Sequence, residues 1–154
     1  MGKRKGPEAR FFEMSKAHGQ VTEADVEAVF DQLKPVKPDF LLGEWAGGSL
    51  DTGHPGHKNL VSMRWAGKAM RSVNDVDPII VLDDEGKRTV KEEYGHASLR
   101  EVAFRGVLST AMIYDAKPIL DHFRCVDENT VLGAMDCPKL MGDASTYYFF
   151  LTRL

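Results

Sequence analysis

Leu41-Leu42-Gly43-Glu44-Trp45-Ala46-Gly47-Gly48-Ser49-Leu50-Asp51-Thr52-Gly53-His54-Pro55-Gly56-His57 decides how the rest of the chain is read. Glycines on either side of Trp45 leave room for the indole to lie flat against neighbouring backbone and permit a bend or bulge. That arrangement suits the mouth or base of a curled sheet. Gly43 to Leu50 therefore reads as a strand with a bulge at Gly47-Gly48, followed by a turn-rich loop from Asp51 to Gly56.

Upstream, Thr22 can cap a helix with Asp25 three residues on, Val21 and Val26 occupy hydrophobic-staple positions, and Val26, Val29, Phe30 and Leu33 form one stripe. Pro35 and Pro38 end it. Residues 1–20 read as a flexible basic tail carrying Lys3, Arg4, Lys5 and Arg10, with a short helix near Phe11 to Met14. Downstream, Lys58 to Met70 reads as a short helix after Asn59, although Val61, Met63 and Trp65 also alternate like a strand. Pro78 to Leu82, the turn Asp83 to Gly86 and Lys87 to Glu93 form a hairpin. Leu99 to Phe104 and Gly106 to Tyr114 read as one long strand bent at Gly106. Ile119 to Val126, Thr130 to Met135 and Thr146 to Leu154 complete the set.

Strands at spacings of about ten residues, without helices between them, favour an antiparallel meander over parallel βαβ units. The expected fold is mainly β, an antiparallel barrel with an N-terminal helix, over residues 21–154 as a single domain. The alternative is an α+β cone-shaped barrel of the NTF2-like type.

At 154 residues, 43% hydrophobic and 28% charged, the chain can bury a core without disulfides or metals. Its formal charge of -3 offers no attraction to nucleic acid or to an anionic membrane. No apolar run is long enough to span a bilayer. Cys125 and Cys137 lack metal-type pairing and suit a reducing cytoplasm.

His54, between Gly53 and Pro55, can serve as acid, base or hydrogen-bond donor near neutral pH. Asp51, His54 and His57 recur every third residue, but Pro55 prevents a regular helix from aligning them, so no metal site is assigned. In the strand from Ile119, Asp121 shares a face with Phe123 and Cys125, while His122 and Arg124 take the other, solvent-facing side. A buried Asp121 is either a general base or ligand-orienting group, or a structural carboxylate paired with an interior Arg such as Arg105. Tyr114 can place a phenol in a cavity, and Trp65 with Lys68 can supply an aromatic wall and a cation at its entrance. No phosphate loop, nucleophile elbow or Cys-X-X-Cys pair occurs.

Gly43-Glu44-Trp45-Ala46-Gly47, with Thr52-Gly53-His54-Pro55, Trp65, Gly67-Lys68, Arg105-Gly106, Met112 to Asp115, Pro118-Ile119, Asp121 and Leu132 to Asp136, resembles the GXWXG domain family with its companion domain of unknown function. That family is similar in turn to the calycins, lipocalins and fatty-acid-binding proteins. The resemblance implies that Arg153 of the last strand covers the Trp45 indole, a cation-π contact of about 0.5–2 kcal/mol.

These readings predict a cytoplasmic barrel binding a small, mostly apolar molecule, with His54, Tyr114 and Asp121 as polar anchors and Thr52, Trp65, Lys68, Asp115 and Arg105 as further contacts. The rival is a cofactor-independent isomerase, cyclase or lyase in the same cavity, with His54 and Asp121 as acid and base and Tyr114 stabilising an oxyanion. No cofactor is expected, haem through His122 or His96 being the remote alternative. A homodimer is left open.

Overall fold

The computed structural model describes residues 5–142 and 145–154. Two helices come first, α1 (Pro7–Ser15) and α2 (Glu23–Gln32). α2 starts where the capping pattern places it, the Thr22 hydroxyl accepting the Asp25 backbone N–H at 3.2 Å. The short helix expected near Phe11 is α1, but it is docked on the barrel rather than part of a flexible tail. Pro7 supplies a preset first-turn φ, and Phe11 is buried edge-on against Phe150 with ring centres 5.3 Å apart. Lys3 and Arg4 lie outside the described residues.

Ten strands follow: β1 (Lys34–Pro35), β2 (Gly43–Ser49), β3 (Trp65–Ser72), β4 (Asp75–Leu82), β5 (Arg88–Val90), β6 (Ala97–Phe104), β7 (Val107–Tyr114), β8 (Leu120–Asp127), β9 (Thr130–Asp136) and β10 (Tyr147–Arg153). Helix α3 (Pro55–Ser62) joins β2 to β3, and the short α4 (Pro138–Met141) lies between β9 and β10. Neighbours pair antiparallel in the order β8-β7-β6-β4-β3-β2-β10-β9, and β9 pairs back to β8. The sheet is a closed ring, as the meander pattern requires, rather than an open cone. One seam is thin: β4 and β6 share a single residue pair, Val76 opposite Ala97, because the far half of β4 pairs with β5 instead.

Glycines account for three differences from the sequence reading. Gly47 and Gly48 make no bulge, since Trp45 to Ser49 pair in unbroken register with β10. Their missing Cβ atoms accommodate rings, because a Cβ on Gly47 would sit 2.5 Å from Trp65 and one on Gly48 2.2 Å from Phe150. The irregularity falls in β3 around Gly67, so Trp65 to Lys68 are strand and only Pro55–Ser62 is helical. Gly106 does not bend one long strand; with Arg105 it forms a tight turn, φ 54° and 79°, that reverses β6 into β7.

Two apolar clusters flank the far side of the ring. Trp45, Met70, Leu99, Met112, Phe123, Val131, Phe149 and Leu151 fill the interior. Outside, α1 and α2 lay Phe11, Val26, Val29 and Phe30 on Val126, Leu132, Ala134 and Tyr148. Arg124, expected at the surface, is therefore 2% exposed, donating from Nη1 to the Phe30 and Leu33 carbonyls at the end of α2. A guanidinium there satisfies carbonyls that the helix leaves unpaired.

Trp45 and Arg153 close one end. The guanidinium carbon lies 4.2 Å from the indole centre, and Nη2 and Nη1 donate to the Phe40 and Leu42 carbonyls at 2.9 and 3.2 Å. The indole N–H donates to the Leu41 carbonyl at 2.8 Å. Arg153→Met, keeping the volume but losing the cation and both hydrogen bonds, is expected to destabilise the protein by about 2 kcal/mol in urea unfolding.

Candidate functional site

The opposite end of the ring is where β7 and β9 finish and β8 and β10 begin. There α3 and α4 lie over the opening and border a mostly apolar, partly open cavity of about 100 Å³. Leu60 and Met141 form its helical side, Ile79, Ile119, Met135 and Tyr147 its barrel side, and Tyr114 and Tyr94 complete the wall. Helix α3 begins at Pro55 because His54 caps it, Nδ1 accepting the Gly56 N–H at 2.9 Å. Gly56 is small because the Tyr147 ring lies where its Cβ would be, 2.8 Å away.

Beside the cavity, Tyr114 belongs to a buried polar cluster. Lys68 Nζ lies 3.0 Å from Asp121 Oδ2, 3.2 Å from the Tyr114 hydroxyl and 2.9 Å from the Pro78 carbonyl. Three donations use all the protons of an ammonium, and the Tyr114 hydroxyl donates in turn to Asp121 Oδ2 at 3.1 Å. Trp65, Tyr114 and Phe149 present ring faces to the same cation at 5.1–5.6 Å. Burial lowers the Lys68 pKa against the opposing pull of Asp121. Burial first, then the Asp121 charge, raises Tyr114 well above the ordinary phenol, so it stays a neutral donor at physiological pH. Asp121 Oδ1 is buried with no hydrogen-bond partner among the described residues.

The anchors expected from sequence thus divide. Tyr114 and Asp121 meet, and Lys68 joins them in the interior at 2% exposure rather than at an entrance. His54 stands apart, its ring centre 5.5 Å from that of Tyr147. It contributes to an adjoining polar compartment of about 70 Å³ with Asp136, Ser145 and Thr146. Burial lowers its pKa, partly offset by the Ser145 backbone and Glu23.

Arg105 is not the partner of Asp121. It lies on the turn between β6 and β7, bonding Asp31 at 2.7 and 2.8 Å and also Glu27 of α2. Asp115 is exposed, and Trp65 rests edge-on against Phe149 in an outer groove with Leu60 and Arg64. Thr52 Oγ1 is buried without a partner among the described residues, away from both compartments.

Neither histidine suggested for haem lines the cavity. His122 stacks on Phe104 at 3.8 Å with Nε2 3.4 Å from Asp136, and His96 Nδ1 is 3.0 Å from Asp77.

Sequence reasoning missed Tyr147, Met135, Leu60 and Met141. The alternation Tyr147, Phe149, Leu151 was the available signal for the first. It also missed a hydrogen-bonded chain in which Ser49 Oγ joins the Tyr147 hydroxyl to His57 Nδ1, the latter at 2.7 Å, with Asp51 4.0 Å from His57 Nε2. Asp51 and His57 of the three-residue spacing do approach one another, while His54 turns inward.

Comparison with known proteins gives three findings. A family model described as "GXWXG protein" matches residues 28–86, and one described as "Domain of unknown function (DUF4334)" matches residues 95–153. No curated protein matches the chain. A solved structure, "Crystal structure of protein from Thermomonospora curvata", is 40% identical, covering 96% of this chain and 98% of its own, with a TM-score of 0.89.

Proposed function

We propose that this chain, which belongs to the GXWXG family with its companion domain of unknown function, binds a small, mostly apolar molecule in the cavity beneath α3 and α4. The observation that carries this is a partly open space at the barrel end walled mainly by apolar side chains. Apolar cavities of this order admit apolar guests, benzene entering one of about 150 Å³. A space of about 100 Å³ suits a guest of that order rather than a fatty acid. The free thiols Cys125 and Cys137 suit a reducing cytoplasm as its location.

Methylenecyclopentane, with six carbons, tests the reading directly. Titrated into labelled protein, it is expected to shift the methyl resonances of Met135, Met141 and Ile119, and Leu60→Trp, which fills the space, is expected to weaken it at least tenfold. Shifts confined to the surface, or indifference to Leu60→Trp, would refute the reading.

A second reading, proton transfer on such a guest, is favoured by one observation. Asp121 keeps an unpartnered buried oxygen beside a lysine and a neutral phenol, the components from which acid and base catalysis is assembled.

A further inference from the structure

The polar compartment and the apolar cavity share Met135, Cys137 and Met141 as walls and so lie side by side. His54 is 94% buried by its 6% exposure, and its Nε2 has no hydrogen-bond partner among the described residues. The Ser145 backbone, though near enough to favour a protonated ring, completes no regular hydrogen bond to it. A buried polar atom left in this state costs about 1–3 kcal/mol, and a guest that satisfies it recovers that penalty.

The ring's other nitrogen fixes what the guest must offer. Nδ1 accepts the Gly56 backbone N–H, so its lone pair points at the helix and a neutral imidazole must carry its proton on Nε2. His54, which lines the compartment, therefore carries its proton on the buried Nε2 and has no lone pair there to take another. Its expected use as a base at Nε2 is closed, and its use as a hydrogen-bonding electrophile is open.

We propose that the guest carries an uncharged carbonyl oxygen, which accepts the His54 Nε2–H in the polar compartment while its apolar body fills the neighbouring cavity. This rests on the cavity reading above and adds the guest's chemical class. A carboxylate or phosphate is disfavoured because Asp136 lines the compartment and no Lys or Arg does among the described residues. Cys137 does not compete as a nucleophile toward the carbonyl, since burial first, then Asp121 and Asp136, push its thiol up to about 11.

Cyclopentanone and methylenecyclopentane, isosteres that differ in the acceptor oxygen, form the test, with His54→Asn as the variant. Asn keeps an oxygen for the helix cap but cannot place a donor where Nε2 stands. His54→Asn is expected to weaken cyclopentanone about tenfold and to leave methylenecyclopentane within twofold. In the unmodified protein at neutral pH, ring nitrogen resonances are expected to show a protonated Nε2 that shifts with the ketone and not with the alkene. That second measurement stands if the variant does not fold. Equal losses for both guests, no loss for either, or a proton on Nδ1 overturns the proposal while leaving the apolar cavity intact. Failure of both guests to bind overturns the proposal and the cavity reading together.

Discussion

Lys68→Met lowers the stability of this protein by about 3–5 kcal/mol at neutral pH, the expected outcome when one partner of a buried ion pair is removed. The substitution nearly preserves volume, so packing accounts for little of the loss. It leaves Asp121, 1% exposed, without the cation that its Oδ2 faces at 3.0 Å, and Oδ1 has no substitute partner among the described residues. Removing the second charge as well reverses much of this. Lys68→Met with Asp121→Leu recovers more than half of the loss, the remainder being the unpaired Pro78 carbonyl and Tyr114 hydroxyl. Urea unfolding of the two singles and the double decides the matter. A double variant as unstable as the sum of the singles would show that the ammonium and carboxylate contribute separately.

The second large effect comes from an atom that is absent. A Cβ built on Gly67 falls 1.9 Å from the Trp45 carbonyl oxygen, and the residue sits at φ +141°, outside the comfortable range of other residues. Gly67→Ala must move either β3 or the strand that carries Trp45, and the expected loss is on the order of 4 kcal/mol. Gly106→Ala is the control, because at φ +79° it has the conformational penalty and nothing within 4 Å of its Cβ. It is expected to cost about 1 kcal/mol. Thermal unfolding of the pair separates collision from backbone strain. Similar losses in both would mean that the close approach at Gly67 relaxes freely.

Much of the fold was legible in the sequence because it rests on local signals. Thr22 caps the helix that its pattern marks, Asp83 to Gly86 turn the hairpin, and the spacing of turns gives an antiparallel ring. What was not legible depends on layers. β8, β9 and β10 are covered inside by the barrel core and outside by α1 and α2, so the alternation that separates core from solvent disappears there. Arg124 and His122 consequently looked like surface residues. The glycines misled for a related reason: Gly47 and Gly48 answer to Trp65 and Phe150, one distant in sequence by 18 residues and the other by 102. In the site, the polarity of Asp121 and Tyr114 was visible, but the place of Lys68 was not, since a lysine on an irregular strand is usually a surface residue. The direction of His54 depended on a hydrogen bond within its own turn.

The thin seam of the ring bears on time rather than affinity. Most neighbouring strands are laced by several residue pairs, so parting them breaks a row of backbone bonds together. Between β4 and β6 there is one pair, Val76 with Ala97, supplemented by the Leu99 N–H to the Val73 carbonyl at 2.7 Å. Beyond it lie Ile79 of β4 and Tyr94 of the turn that precedes β6, which also wall the cavity. Parting the strands there breaks fewer backbone bonds than at the fully laced seams such as β6 with β7. Were a guest to bind as proposed, its residence time is expected to follow a local fluctuation and not the stability of the whole fold.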